Sequence, residues 1–129
     1  MIRVLVVDDH PVLRAGLEAV LRAEPGFVPV GAAADGHEAL RLVRRTRPDV
    51  VVVDRRLGDE DGLALCRALR AEPAPAQVVL YTAAAREPGL DGSATEAGVF
   101  RIVDKADHLG ALFDALRLAA RGVASAGAG

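Results

Sequence analysis

Short apolar runs alternate along this chain with longer segments whose apolar residues recur at helical spacing. The runs are rich in β-branched residues, and several are apolar throughout, as expected for parallel strands covered on both faces. We predict strands over residues 2–7, 28–32, 50–53, 78–81 and 100–103. Such alternation is typical of successive β-α-β units.

Most of the intervening segments have the spacing of amphipathic helices. The first is opened by Pro11, the second begins near Gly36, and the third runs from about Asp61. The last begins near Leu109, and we predict that it stops at Gly122. These segments supply the connections that parallel strands require.

The segment 86–98 departs from this pattern. Pro88, Gly89 and Gly92 interrupt it, and Leu90 is its only large apolar residue. Because proline and glycine disfavour a helix interior, we predict a fourth helix that is short, weak or irregular.

Five parallel strands joined by right-handed crossovers form a doubly wound α/β sheet, for which we expect the order 2-1-3-4-5. A chain of 129 residues, 51% of them hydrophobic, is the size of one domain with one core. We assign this domain to residues 1–121. Residues 122–129 are mostly small, and we interpret them as a flexible tail or the start of an interdomain linker.

Composition and charge exclude several classes of protein. A net charge of −2 and an isoelectric point near 5.9 provide no positive field for a nucleic acid backbone, so we expect no direct nucleic acid binding. Cys66 is the only cysteine and forms neither an internal disulfide nor a metal cluster. No apolar run approaches the roughly 20 residues of a membrane helix, and no secretory segment follows Met1. We expect a soluble, cytoplasmic protein.

Polar residues follow the predicted strands at their carboxyl ends, where sheets of this kind bind ligands. Asp8 and Asp9 follow the first strand, Asp54 the third, and Thr82 the fourth, while Lys105 lies beyond the fifth. If strands one and three are neighbours, three carboxylates converge between them. Their mutual repulsion calls for a cation.

Carboxylate oxygens suit Mg²⁺, whereas a zinc site needs a cluster of histidine and cysteine. An aspartate beside Mg²⁺ can attack phosphorus, and the product is an acyl phosphate. Lys105 is the only lysine, and its compact charge suits contact with a phosphoryl oxygen. Thr82 offers a hydroxyl donor to the same group.

Each of these residues taken alone also has an ordinary structural interpretation. Asp9 precedes Pro11 and by itself fits a helix cap, and Asp54 by itself fits a strand terminator. Threonine is common in strands, and a single lysine such as Lys105 is usually a solvated surface residue. Only the combination favours chemistry.

Other polar residues receive structural interpretations. Asp35 and Asp61 are predicted helix caps, His10 a loop residue that neither binds metal nor acts as a base, and Cys66 a core residue. A solvated basic face explains the arginines of the second helix, because no aromatic residues interleave with them. Those arginines are Arg41, Arg44, Arg45 and Arg47.

Over residues 1 to about 121 the arrangement resembles the receiver domain of two-component response regulators. The run Val6-Val7-Asp8-Asp9-His10-Pro11 is most similar to the NarL/FixJ-like subfamily, which carries a C-terminal LuxR-type helix-turn-helix. In addition, Gly62 follows eight residues after Asp54, as in the family. The resemblance implies a flavodoxin-like fold of the CheY type.

The resemblance also implies roles for single residues. Asp54 is the implied phosphoryl acceptor and Asp9 a direct Mg²⁺ ligand, while Asp8 assists mostly through water. The backbone carbonyl of Arg56 completes the protein ligands of the ion. Thr82 is the implied switch hydroxyl.

Lys105 is implied to pair with the phosphoryl group, and a sensor histidine kinase is the implied donor. The chain is then no enzyme in the usual sense, since it catalyses only its own Mg²⁺-dependent phosphoryl transfer and hydrolysis. The resemblance further implies that the protein regulates transcription through an output domain that these residues do not include, although the residues after Gly122 fit a stand-alone receiver equally well.

The chain departs from the family pattern at several positions. Gly58 stands where receivers usually have proline, and Ile102 replaces the aromatic switch residue, for which Phe100 or Tyr81 is at best a substitute. We expect a less rigid loop after Asp54. The segment between Thr82 and Lys105, which includes residues 86–98, is one residue longer than is usual in the family.

Asp104 is also unusual, and we expect it to compete for the ammonium group of Lys105. Together these departures leave open an alternative, a receiver-like interaction module that signals without phosphorylation. The sequence also prompts the prediction of a homodimer through the last helix, whose Leu109, Leu116 and Ala119-Ala120 would form an apolar surface.

Two enzymatic alternatives are disfavoured. Haloacid dehalogenase-like phosphatases place a second aspartate two residues after the nucleophile, where this chain has Arg56. A dinucleotide-binding oxidoreductase requires a glycine-rich phosphate loop after the first strand, where this chain has Asp-Asp-His-Pro.

Overall fold

The computed structural model describes the backbone of residues 1–128 and the side chains of residues 1–122. The strands are β1 (Ile2–Val7), β2 (Phe27–Ala33), β3 (Val50–Val53), β4 (Arg56–Leu57), β5 (Glu60–Asp61), β6 (Gln77–Thr82) and β7 (Arg101–Asp104). The helices are α1 (Pro11–Ala23), α2 (Gly36–Thr46), α3 (Gly62–Arg70), α4 (Leu90–Glu96) and α5 (Leu109–Ala128).

Five of the strands form one parallel sheet in the order β2-β1-β3-β6-β7. Because β4 and β5 form a separate hairpin, this is the predicted order 2-1-3-4-5, and the predicted fold is confirmed. Pro29 lies in β2, an edge strand, where a missing N–H is tolerated. The register of β1 against β2 shifts beside it, between Val4 and Leu5.

Helices cover both faces of the sheet. Successive side chains of a strand point to opposite faces, so Leu5 and Val7 join one core cluster while Val4 and Val6 join the other. Helices α2, α3 and α4 pack on the first cluster, and α1 and α5 pack on the second. All residues of β3 are buried, as its continuous run of valines predicted.

Helix α4 is the shortest of the described helices, with seven residues, and the prediction of a short fourth helix is confirmed. It begins after Gly89, whose φ is +80°, and no side chain caps its amino terminus. Leu90 is 2% exposed and fastens the helix to the core. A single large apolar anchor is enough for about two turns of helix.

Helix α5 corrects one prediction about the carboxyl terminus. Its backbone remains helical to Ala128, whereas we predicted an end at Gly122. Gly122 does not adopt the left-handed conformation with which a glycine commonly ends a helix, since its φ is not positive. The interpretation of 122–129 as a flexible tail or linker stays a prediction, and the side chains of 123–129 lie outside the described residues.

The predicted dimer surface on α5 is also wrong in part. Leu116 and Ala119 are fully buried, so they offer no surface to a partner. The reason is that α4 and α5 pack on opposite faces of the sheet. A short α4 therefore exposes no additional surface of α5. Leu109 and Leu118 remain exposed, at 40% and 37%.

Within the described residues, no helix combines the length and apolar character needed to cross a bilayer.

Candidate functional site

Three predicted site residues meet at the carboxyl ends of the sheet strands. Asp8 follows β1, Asp54 follows β3, and Lys105 follows β7. The Lys105 Nζ lies 2.8 Å from Asp54 Oδ2 and 3.0 Å from Asp8 Oδ2, and it donates to both. The neighbouring β1 and β3 bring the two carboxylates together, and the outermost strand β7 supplies the cation.

The charged side chains of this cluster are largely buried, and burial and hydrogen bonds shift the pKa of two of them in opposite directions. The side chains of Asp8 and Asp54 are 7% and 10% exposed, and that of Lys105 is 19% exposed. Burial raises the pKa of Asp8, but hydrogen bonds from the His10 backbone and from Lys105 outweigh it and hold the pKa below its ordinary value. Burial opposes the charge of Lys105, yet its two carboxylate partners raise its pKa. Asp8 and Lys105 are therefore both charged at neutral pH.

Asp9 stands beside this cluster with an unsatisfied oxygen. Among the described residues, its Oδ1 is buried and accepts no hydrogen bond. The helix-cap interpretation of Asp9 is wrong, because His10 is the residue at the cap position of α1 and no side chain caps that helix. A buried carboxylate oxygen without a donor is stabilised when it binds a cation.

The same group of residues offers a set of metal ligands. Asp8, Asp9, His10 and Asp54 each provide one ligand atom, and these atoms lie within 4.8 Å of one another. The carboxylate oxygens suit Mg²⁺, which binds to one or two carboxylates and keeps several waters. The unpartnered Asp9 Oδ1 and this set of donors fit such an ion.

The loop that follows Asp54 folds into a hairpin, which we did not predict. Arg56 pairs with Asp61 and Leu57 with Glu60, around a two-residue turn that begins at Gly58 with φ of +62°. Proline is restricted to φ near −65°, so the usual proline of the family does not fit this turn. The residues after Asp54 thus form paired strands, and the lower rigidity that we expected there stays a prediction.

The hairpin brings Arg56 close to Asp54 through its backbone. The Arg56 N–H donates to Asp54 Oδ1 at 3.3 Å, which is a long hydrogen bond. The metal-binding role of the Arg56 carbonyl stays a prediction.

Gly62 closes the loop by a contact that only glycine permits. Its N–H donates to the Arg55 carbonyl at 2.9 Å, and a Cβ here would lie 2.0 Å from the Asp54 carbonyl oxygen. The spacing between Asp54 and Gly62 therefore has a steric cause, since the chain returns directly against the backbone of Asp54.

Thr82 is buried at the end of β6, with 2% of its surface exposed. Its Oγ1 accepts a hydrogen bond from the Ala84 N–H at 3.0 Å, and no described hydrogen bond joins it to the carboxylates. The hydroxyl proton thus remains available to an acceptor, but its predicted role stays a prediction. Asp104 accepts from the Ala106 N–H, so it caps a turn and does not compete for Lys105 as we expected.

Sequence reasoning missed an arginine beside the predicted acceptor. The Arg55 side chain pairs with Asp61 in the hairpin and, at 3.2 Å, with Glu87 in the loop after β6. Arg56 adds a longer contact to Glu87 at 3.8 Å. These pairs join the loops that follow β3 and β6, and no sequence spacing indicates them because 32 residues separate Arg55 from Glu87.

His10 lies in the loop before α1, as predicted, but it also contacts both aspartates, which we did not predict. Its Nδ1 lies 3.0 Å from Asp8 Oδ1 and 3.3 Å from Asp9 Oδ1. The signal for it was present in the sequence, since His10 directly follows the two aspartates.

Several structural interpretations are confirmed. Asp35 accepts from the Glu38 N–H and Asp61 from the Leu63 N–H, so both cap helices. Cys66 is fully buried. Arg44 pairs with Glu72 on the outer surface, as a solvated basic face would.

The aromatic residues do not form one obvious switch. Ile102 is half-buried against the core on the α2-α3-α4 side, and Phe100 is 37% exposed beside Arg101. The Tyr81 ring centroid lies 5.7 Å from Lys105 Nζ. Whether Phe100 or Tyr81 substitutes for the aromatic switch residue stays open.

Known proteins share this fold and much of this sequence. The model of the response regulator receiver domain matches residues 4–117. The transcriptional regulatory protein LiaR of Bacillus subtilis is 32% identical over 122 residues, which make up 95% of this chain and 57% of LiaR. A crystal structure of a LuxR-family two-component response regulator from Aurantimonas superposes with a TM-score of 0.84 at 33% identity, covering 93% of this chain and 85% of that one.

A further relative carries an enzyme name. A protein-glutamate methylesterase/protein-glutamine glutaminase of Myxococcus xanthus is 39% identical over 106 residues, 81% of this chain but 30% of the methylesterase. The chain thus spans little more than half of LiaR and less than a third of the methylesterase. The likeness carries no catalytic activity to this chain. The chain belongs to the response regulator receiver domain family of two-component signalling systems.

Proposed function

We propose that this receiver is a phosphorylation-dependent switch that accepts a phosphoryl group on Asp54 from a sensor histidine kinase. The observation that supports this most strongly is the placement of Asp54, which is 8% exposed and paired with Lys105 at 2.8 Å beside Asp8. A buried carboxylate with a cation on one side and a metal-binding group on the other is suited to attack phosphorus.

The transfer is an in-line exchange of one bond for another. A carboxylate oxygen of Asp54 attacks the phosphorus of a phosphohistidine, a new P–O bond forms, and the P–N bond breaks. The leaving imidazole takes a proton from solvent on its other ring nitrogen before the P–N bond breaks, so it leaves as a neutral base. Asp54 Oδ1 is the less encumbered oxygen, because it accepts only the long hydrogen bond from Arg56, whereas Oδ2 accepts from Lys105.

Asp8, Asp9, Asp54 and the Arg56 carbonyl would hold Mg²⁺. When bound, the ion neutralises the acidic cluster and the incoming phosphoryl oxygens. Lys105 remains protonated and pairs with the phosphoryl group. The Thr82 hydroxyl, whose proton is uncommitted, donates to a phosphoryl oxygen.

We also propose that the switch works in the cytoplasm and controls transcription through an output domain that follows residue 121. The likeness to LiaR, a transcriptional regulatory protein, supports this. Residues 122–129 then begin the connection between the domains.

The test is intact mass spectrometry after incubation with acetyl phosphate, with and without Mg²⁺. We expect a phosphoryl adduct on the wild type in Mg²⁺, no adduct on Asp54→Asn, and an adduct on the control Asp59→Asn, which alters an exposed carboxylate in the hairpin turn. An adduct that persists in Asp54→Asn would contradict the assignment of the acceptor.

The alternative function is a receiver-like module that binds partners without phosphorylation, and Ile102 and the short α4 favour it. If Mg²⁺ binds but no adduct forms under rapid quenching, this alternative replaces the proposal. Rapid quenching excludes loss of the adduct by self-hydrolysis.

A further inference from the structure

We propose that His10 is an additional, nitrogen ligand of the metal site, so that the site also binds imidazole-preferring transition metal ions of the Ni²⁺ or Co²⁺ kind. This inference deepens the proposed function and rests on the metal site assigned there. It assigns to His10 a role that the oxygen-ligand chemistry of Mg²⁺ does not require.

His10 lies close to two of the carboxylates of the metal site. His10 Nδ1 lies 3.0 Å from Asp8 Oδ1 and 3.3 Å from Asp9 Oδ1. In an octahedral ion with bonds of about 2.1 Å, adjacent ligand atoms lie about 3.0 Å apart. The nitrogen therefore lies at about the spacing of a neighbouring ligand from each of the two oxygens.

Some carboxylate oxygens of the cluster already accept hydrogen bonds from Lys105, and others do not. Lys105 occupies Asp8 Oδ2 and Asp54 Oδ2. The Oδ1 atoms of Asp8 and Asp9 are the ones that face His10. Asp8 Oδ1 accepts from the His10 backbone N–H at 2.9 Å and lies within hydrogen-bond distance of Nδ1, whereas Asp9 Oδ1 is buried without a hydrogen bond among the described residues. A cation bound to both His10 Nδ1 and Asp9 Oδ1 would satisfy that oxygen.

Oxygen and nitrogen ligands prefer different metal ions. Carboxylate and water oxygens select Mg²⁺ or Mn²⁺, while an imidazole nitrogen increases affinity for Ni²⁺, Co²⁺ and Zn²⁺. Loss of His10 should then weaken the binding of the nitrogen-preferring ions and leave the binding of Mg²⁺ unchanged. Because the His10 side chain is 60% exposed, its removal should not disturb the core.

The experiment is isothermal titration calorimetry of metal-free protein with Mg²⁺ and, separately, with Ni²⁺. Wild type is compared with His10→Ala and with His37→Ala and His108→Ala, which remove the other two of the three histidines. Both control histidines are exposed and lie away from the cluster. Co²⁺ titration followed by visible absorption supplies a second readout, since nitrogen ligation shifts the metal's bands.

We expect His10→Ala to weaken Ni²⁺ binding by about tenfold or more and to change Mg²⁺ binding by no more than about twofold, with both control variants unchanged. Unchanged Ni²⁺ binding in His10→Ala would overturn the proposal. So would an equal loss of Mg²⁺ and Ni²⁺ binding, since His10 would then act only by positioning Asp8. If the wild type binds no Mg²⁺, the proposed function fails instead, whatever Ni²⁺ does.

Discussion

Lys105 is the residue on which the charge balance of the site depends. It contacts Asp54 and Asp8, and without it two nearly buried carboxylates would face each other with no cation. The pairs are partly reached by solvent, which reduces their energy below that of a fully buried pair. Lys105 thus serves the metal-free fold as well as the proposed chemistry.

We expect Lys105→Met to lower the free energy of unfolding by about 1–3 kcal/mol in the absence of Mg²⁺, because it leaves two carboxylates unpaired. Urea denaturation followed by circular dichroism measures the change. In the Lys105→Met background, Asp54→Asn should recover part of the loss by removing one negative charge. If Lys105→Met is as stable as the wild type, the carboxylates are solvated and the ion pairs contribute little.

Cys66 provides a prediction about pH at the same scale. Burial, and secondarily the charge of Asp61, raises the pKa of its thiol from 9.0 to about 12. Between these values the unfolded chain loses the proton while the folded chain keeps it, so the unfolded state is favoured as pH rises. The buried thiol therefore does not lower the free energy of unfolding below pH 9, and it lowers it progressively as the pH rises toward 12.

We expect the free energy of unfolding of the wild type to fall between pH 9 and 11 by about 1.4 kcal/mol per pH unit more than that of Cys66→Ala. The comparison of slopes cancels the titration of Tyr81 and Lys105, which both proteins share. Chemical denaturation at several alkaline pH values measures the slopes. Parallel slopes would show that the thiol reaches solvent in the folded protein.

At the scale of elements, the β4-β5 hairpin determines the surroundings of Asp54. Gly58 opens its turn and Gly62 closes it against the Asp54 carbonyl. The Arg55 side chain then joins the hairpin to the loop after β6 through Glu87. Three segments at one edge of the sheet are thereby held together by backbone contacts and one guanidinium.

We expect Gly62→Ala to lower the free energy of unfolding by about 1–3 kcal/mol, because a Cβ would overlap the Asp54 carbonyl and displace the hairpin. The matched control is Gly92→Ala in α4, where a Cβ meets nothing within 4 Å. That variant should gain about 0.5–1 kcal/mol from the lower entropy of its unfolded chain. Thermal and urea unfolding compare the two, and equal behaviour would contradict the steric role of Gly62.

At the scale of the whole molecule, metal binding couples the acidic edge of the sheet to global stability. An ion that binds the folded chain and not the unfolded chain stabilises the fold by mass action. Mg²⁺ at one hundred times its dissociation constant should raise the free energy of unfolding by about 2.7 kcal/mol.

We expect the melting temperature of the wild type to rise with Mg²⁺ and to return when a chelator removes the ion. Asp9→Asn should lose this response, because it removes the unpartnered Oδ1, while Asp59→Asn should retain it. Differential scanning calorimetry provides the measurement. A full Mg²⁺ response in Asp9→Asn would place the ion elsewhere.

Much of the architecture was predictable from local patterns. Alternating apolar runs and helical spacings predicted five strands and a short fourth helix, since these depend on period, length and the glycine and proline content of segments. The strand order came instead from the expected doubly wound fold. The end of α5 was not predictable from such patterns, because a glycine commonly ends a helix in a left-handed conformation, which Gly122 does not adopt. The burial of Leu116 could not be predicted from local patterns either, because it depends on which face of the sheet a helix covers.

The sequence by itself determined which chemical groups stand at the strand ends, because a strand that ends in a polar residue presents it at the carboxyl edge of the sheet. Tertiary structure alone decided how those groups meet. The contacts of Lys105 with Asp8 and Asp54 span 97 and 51 residues. Such contacts follow from strand order and side-chain packing, which bring together residues that no local pattern relates.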